Sequence, residues 1–205
     1  MPRNAFNNLL RKYTDDLSLI TELWTEVEKA YTHKKRHYHT LGHLEHLLVQ
    51  LSDVKQIVRE WDAMLFSLFY HDIVYDVLRT DNEQKSAEFA SKAMVRLAVD
   101  ANIMALAEQT ILATAKHEVS ANEDVNIFTD ADLSALGQPW ELYSVYSKNI
   151  RKEYSIYPDL VYKPGRKKVL KHFLEMERIF KTGHFSKLYE EQARHNMRRE
   201  LEMLK

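Results

Sequence analysis

Apolar residues recur at helical spacing along most of this chain. Leu17, Ile20, Leu23 and Trp24, followed by Val27 and Tyr31, form an i, i+3, i+4, i+7 stripe. Leu44 to Leu51 continues the pattern, and residues 61–76 (WDAMLFSLFYHDIVYD) are so densely apolar that they predict a buried helix. Residues 83–99 are Ala-rich and amphipathic, and residues 103–117 repeat the helical spacing. A short helix over 130–136 is expected to stop at Gly137 as a C-cap. Pro139 sits near the start of the next helix, which runs toward Tyr154. The segment from Pro158 to Gly165 breaks the pattern, and helices resume over 166–180 and from Phe185 onward. The pattern predicts an all-α fold in a single domain, residues 1–205, with roughly eight to ten helices.

Composition narrows this further. Four glycines and four prolines are too few for a turn-rich β architecture. A chain of 205 residues, 45% hydrophobic and 29% charged, has material for a sizeable core. A net charge of -1 provides no global field to recruit nucleic acid or a membrane surface, so neither is expected as a partner. The N-terminal MPRNAFNNLLRKY lacks the apolar core of a signal peptide, and no apolar run approaches the ~20 residues of a membrane span. The expected location is cytoplasmic. The absence of cysteine removes disulfides, Cys-type zinc sites and thiol nucleophiles. A metal site in this chain must use histidine and carboxylate.

The stretch RHYHTLGHLEHLL, Arg36 to Leu48, concentrates four histidines. On a helix at about 100° per residue, with His39 at zero, His43 lies near ~40° and His46 near ~-20°. Leu44, Leu47, Leu48 and Leu51 occupy the arc from about 80° to about 180° by the same count. His43 is therefore nearest the buried side and the best candidate to enter a lined site. His33, His37 and His46 read as solvated polar residues.

His71-Asp72 follows the apolar stretch LFSLFY, and a buried ionised aspartate needs a partner. A helix-end salt bridge or cap supplies one, and so does a metal ion. Downstream, FTDADLSALG carries Asp132. Together His43, His71, Asp72 and Asp132 make an N/O donor set suited to Mn, Fe, Co, Ni, Mg or Zn. One such divalent ion, or two, would lower the pKa of a bound water toward neutrality, giving a hydrolase its nucleophile.

The order H…HD…D across helices resembles the HD superfamily of metal-dependent phosphohydrolases. Tyr38 to His43 (YHTLGH) resembles the YHNxxH segment of the distantly related cyclic-nucleotide phosphodiesterases, in which the second histidine is a metal ligand and the first protonates the leaving group. Ala131 to Ser134 (ADLS) resembles the segment supplying their last aspartate ligand. The closer similarity is to a small group of predicted HD phosphohydrolases with RxYHxLxH, HDxVYD with DNExxSA, DLS-LG and GRxxVLxxFL. Here these are Arg36 to His43, His71 to Asp76, Asp81 to Ala87, Asp132 to Gly137 and Gly165 to Leu174, which together span most of the chain. The further bridging residues and the nucleotide-clamping glutamine of the phosphodiesterases have no counterpart, so the resemblance does not imply cyclic nucleotides.

The resemblance implies an HD-type helical bundle with a metal-binding core over about residues 36–137, followed by a helical part over about 138–205. It implies His43, His71, Asp72 and Asp132 as metal ligands. His39 is a candidate general acid or phosphate contact, since an imidazole near its ordinary pKa of ~6.5 transfers protons at neutral pH; a supporting hydrogen bond is the other reading. Glu83 is a candidate base, although Asp81, Asn82, Glu83 and Ser86 also read as an ordinary helix start. His117, in TAKHE, is a candidate substrate contact or further ligand, or only a helix-end histidine. Arg36 is the leading candidate to contact a phosphate, with Lys116, Arg166 and Arg194 behind it. Asp130, about 200° from Asp132 on a helix, reads as an N-cap or first-turn acid, and Asp76 receives no specific role. The expected activity is hydrolysis of a nucleotide or small phosphorylated metabolite. The alternatives are a non-catalytic metal- and ligand-binding regulator, or a di-iron oxygenase on the same scaffold.

Overall fold

The computed structural model describes residues 2–204. Among them are ten α-helices, two short 3-10 turns and no strand, as the all-α pattern predicts. The helices are α1 (Pro2–Leu10), α2 (Leu17–Tyr31), α3 (Leu41–Asp53), α4 (Trp61–Tyr70), α5 (Asn82–Arg96), α6 (Ala101–Ala113), α7 (Glu123–Leu133), α8 (Trp140–Glu153), α9 (Asp159–Glu175) and α10 (Gly183–Met203). No helix among the described residues is long and apolar enough to cross a membrane. The chain packs as two compact units, Met1–Thr129 and Asp130–Lys205, with the division inside α7.

In the first unit α4 is the centre. Every residue from Ala63 to Tyr70 is buried, as expected of a helix apolar on all sides. It packs against α1, α3, α5 and α6. Its first turn is capped from a distance: buried Asp124 of α7 accepts from the backbone N–H groups of Arg59 and Glu60 at 2.8–3.1 Å. A carboxylate there satisfies donors the helix cannot and meets the positive end of its dipole. Helix α1, which has no clear sequence signal, adds Phe6, Leu9 and Leu10 to this core. Phe6 meets Phe69 edge-on at 4.9 Å.

Helix α5 ends with Ala98 in the left-handed region, at φ 51, while the Val99 N–H donates back to the Met94 carbonyl. An L-residue there carries about 1–2 kcal/mol of strain. Ala98→Gly is expected to relieve it, partly offset by about 0.4–1 kcal/mol from a more flexible unfolded chain. The net gain, about 0.5 kcal/mol or more, is measurable by urea denaturation. An unchanged or lower midpoint would mean the conformation costs nothing.

In the second unit, the 3-10 turn Ser134–Gly137 lies against α10. Buried Asn196 donates to the carbonyls of Leu136 and Gln138 at 2.9 and 2.7 Å and so holds this turn. Gly137 was expected as a C-cap for its backbone freedom. Its φ is not positive; what requires glycine is close approach, because a Cβ would lie 2.8 Å from both Cα and carbonyl oxygen of Tyr189. Asp130 is not an N-cap of its own helix either. It sits near the end of α7 and caps α10, accepting from the Lys181 and Thr182 backbone N–H groups at 2.9 and 2.7 Å and from the Thr182 hydroxyl.

Four boundaries differ from the periodicity. Helix α3 starts at Leu41, so His39 stands before it and the shared helical face does not include that residue. Helix α4 stops at Tyr70, because the Ile73 N–H turns back to the Tyr70 carbonyl and Val74 is held by Ser86. Helix α7 begins at Glu123, so Asp132 lies in its last turn. Helix α9 continues through Pro164. Proline removes the hydrogen bond to the Leu160 carbonyl, and Leu160 is so exposed that water can take it.

Candidate metal centre

His43 occupies the first turn of α3, and His71 is the C-cap of α4. Both are buried. The ring of His71 is oriented by its Nδ1, 3.1 Å from the Leu68 carbonyl. A carbonyl only accepts, so Nδ1 carries the hydrogen and, in the neutral ring, Nε2 presents a lone pair. That Nε2 faces His43 Nε2 at 3.0 Å and Asp72 Oδ2 at 3.2 Å. An accepting nitrogen opposite a carboxylate needs a cation between them, a proton or a metal ion.

Asp132, from the last turn of α7, joins the two histidines. His43, His71 and Asp132 each offer a ligand atom, and these atoms all lie within 4.8 Å of one another. With metal–ligand bonds of about 2.1 Å, neighbouring donors at right angles stand about 3.0 Å apart and opposite donors about 4.2 Å. The group, bounded at 4.8 Å, is close to these spacings and could hold a metal ion, and its N/O chemistry suits a divalent ion of the Mn, Fe, Co, Ni, Mg or Zn kind. Asp72 stands outside the three-residue group but beside His71. Burial opposes ionisation of Asp72, yet the surrounding His71, His39 and His43 hold its carboxyl well below the usual range.

The segment carrying His71 and Asp72 is held by side chains outside the ligand group. The Asp72 N–H donates to the Tyr31 hydroxyl at 3.3 Å. Buried Ser86 exchanges hydrogen bonds with both the N–H and the carbonyl of Val74. Arg36 lies over the rings of Tyr31 and Tyr75, at 4.8 and 5.5 Å. It donates to the Ile73 carbonyl at 2.9 Å and to the His39 carbonyl at 3.3 Å. Arg36, expected as a phosphate contact, is buried here and ties the His39 loop to the His71 loop. The reason is geometric, since a long planar side chain with several donors can bridge two loops and stack between aromatic rings.

His39 remains partly open, its side chain 16% exposed. Its Nε2 is 3.7 Å from Asp72 Oδ2, and its ring packs between Tyr75 at 4.2 Å and Tyr38 at 4.9 Å. Two other candidates are not brought into the ligand group. Glu83 lies in the first turn of α5, where an acid meets the helix N-terminus. His117 follows α6 at φ 52, and its N–H donates to the Ala113 carbonyl.

The remaining residues lie outside the ligand group. Asp76 accepts from the Leu78 N–H, and Asn82 bonds both backbone groups of Asp76. Asp81 precedes α5 but gives its carboxylate to Arg79 rather than to a cap. Lys116 is exposed, and Arg166 is buried against Glu200. Arg194 pairs with Glu190 and donates to the carbonyls of Leu174, Met176 and Glu177. His33 and His37 are exposed.

Tyr31, Ser86 and Asp124 were not anticipated as positioning residues. Only Ser86 left a signal, as part of the DNExxSA segment. No protein-family model, curated protein or solved structure matches the chain.

Proposed function

We propose that this chain is a metal-dependent phosphohydrolase of the HD type, acting on a nucleotide or another small phosphorylated metabolite. The observation that carries this reading is the grouping of ligand atoms of His43, His71 and Asp132 within 4.8 Å of one another, with His39 beside Asp72. His43, His71 and Asp132 would hold the ion, and Asp72 is the further donor next to His71. A divalent ion held there brings a coordinated water toward ionisation at neutral pH and neutralises charge developing on phosphoryl oxygens.

The chain's own groups do the rest. The Leu68 carbonyl fixes the His71 tautomer and strengthens Nε2 as a donor. His39 Nε2, 3.7 Å from Asp72 Oδ2, would deliver a proton to the leaving-group oxygen. Tyr38 and Tyr75 restrict the His39 ring and shield its faces from water. Arg36 holds the His39 backbone in register with the segment that carries Asp72.

The test is phosphate release from a panel of nucleotides and phosphorylated metabolites, with Mn, Co, Ni or Mg added in turn. Release is expected to require metal. Asp72→Ala should lower it at least about 100-fold, and His39→Gln should reduce kcat more than it changes KM. A folded, metal-loaded protein that releases no phosphate from any of them would overturn the catalytic reading and favour a regulatory binding protein.

A further inference from the structure

The second unit contains a pocket of about 240 Å³ between α8, α9 and α10. That is below the ~300–1,000 Å³ of common small-molecule sites, so its occupant is small. Its walls include Trp140, Tyr162, Met203 and Leu204, which suit an apolar or ring-bearing body. Arg199 covers one face of Trp140, 3.8 Å from the ring centroid.

The charges are arranged unequally. Arg151 lines the pocket but is committed to Asp159 at 2.8 Å and to the carbonyls of Tyr154 and Tyr157. Lys148 and Lys163 also line it, and neither forms an ion pair among the described residues. The carboxylate of Glu200 alone would repel an anion, but buried Arg166 engages both of its oxygens at 2.8 and 3.0 Å. The Tyr143 hydroxyl donates to the same carboxylate. This arrangement neutralises Glu200 and leaves Lys148 and Lys163 as the lining cations outside any ion pair among the described residues. A buried ion pair adds little stability against a well-packed apolar alternative, so neutralising this wall is a use for it.

We infer that this pocket is a second ligand site, which takes a small organic phosphate: an apolar or ring-bearing body against Trp140 and Met203, and its acidic head between Lys148 and Lys163. None of its lining residues belongs to the candidate metal centre. The inference therefore does not depend on the proposed hydrolysis.

The probe is phenylphosphonate, whose carbon–phosphorus bond is not a phosphate ester, followed by calorimetric titration. Saturable binding is expected both in the unmodified protein and in His71→Ala. The double variant Lys148→Ala/Lys163→Ala should bind at least tenfold more weakly, with an unchanged thermal melt because both substitutions lie at the solvent rim. Inorganic phosphate, lacking the ring, should also bind at least tenfold more weakly. Absence of saturable binding at millimolar probe, loss of binding in His71→Ala, or full binding by the double lysine variant would each overturn the inference.

Discussion

Gly137→Ala is expected to destabilise the protein by about 2–3 kcal/mol, the range for forcing extra volume into a packed interior. The added methyl would meet backbone, not a flexible side-chain tip, since Tyr189 Cα and its carbonyl oxygen both lie 2.8 Å from the position it would occupy. Relief requires the 3-10 turn to move away from α10, and Asn196 ties that turn down through two carbonyls. Gly165→Ala is the internal control. A Cβ there meets nothing within 4 Å, and the residue lies within α9. In a helix interior alanine is favoured over glycine by about 1 kcal/mol, so this variant should be stabilised. The same chemical change thus has opposite signs at two sites, read as urea midpoints. Equal midpoints for the two variants would show that the turn and α10 are not in the close contact described.

Asp132→Asn is expected to weaken Mn binding at least about 100-fold while helix content stays the same. Asparagine keeps the shape of aspartate, so the change removes charge and one donor oxygen without opening a cavity. The position is fixed by its helix. Asp130, two residues earlier, anchors the end of α7 to the start of α10. Asp132 lies in the last turn of the same helix. Glu83→Gln and His117→Gln, outside the ligand group, should leave affinity within a few-fold. Titration followed by the electron paramagnetic resonance of free Mn separates these outcomes. Equal losses from all three substitutions would point to a diffuse acidic surface instead of a site.

The helices were legible where a stripe and its stop signals agreed, as over Leu17–Tyr31. They were misread where tertiary bonds ended or extended them. The apolar run after Trp61 gives no hint that Ser86 will hold Val74 and end α4 near His71. Pro164 and Gly165 read as a break, yet the exposed Leu160 carbonyl can be satisfied by solvent and α9 continues.

The site was legible in its donors and not in its supports. His43 and His71 announce themselves by residue type and by their place on apolar helices. Arg36 has the chemistry of a phosphate contact, and only its enclosure by Tyr31 and Tyr75 shows that it bridges loops. Asp124 and Asp130 look alike in sequence, as acids of one helix. Each caps a different helix, and such partners are invisible to a local pattern.

The proposed function requires that His43, His71 and Asp132 hold one divalent ion. Its most direct test is elemental analysis of the protein after saturation with Mn, Co or Zn and exhaustive dialysis, beside His43→Ala and Asp132→Asn treated identically. About one ion per chain in the unmodified protein, and almost none in either variant, is the predicted result. A metal-free unmodified protein, or equal metal in all three, would contradict it.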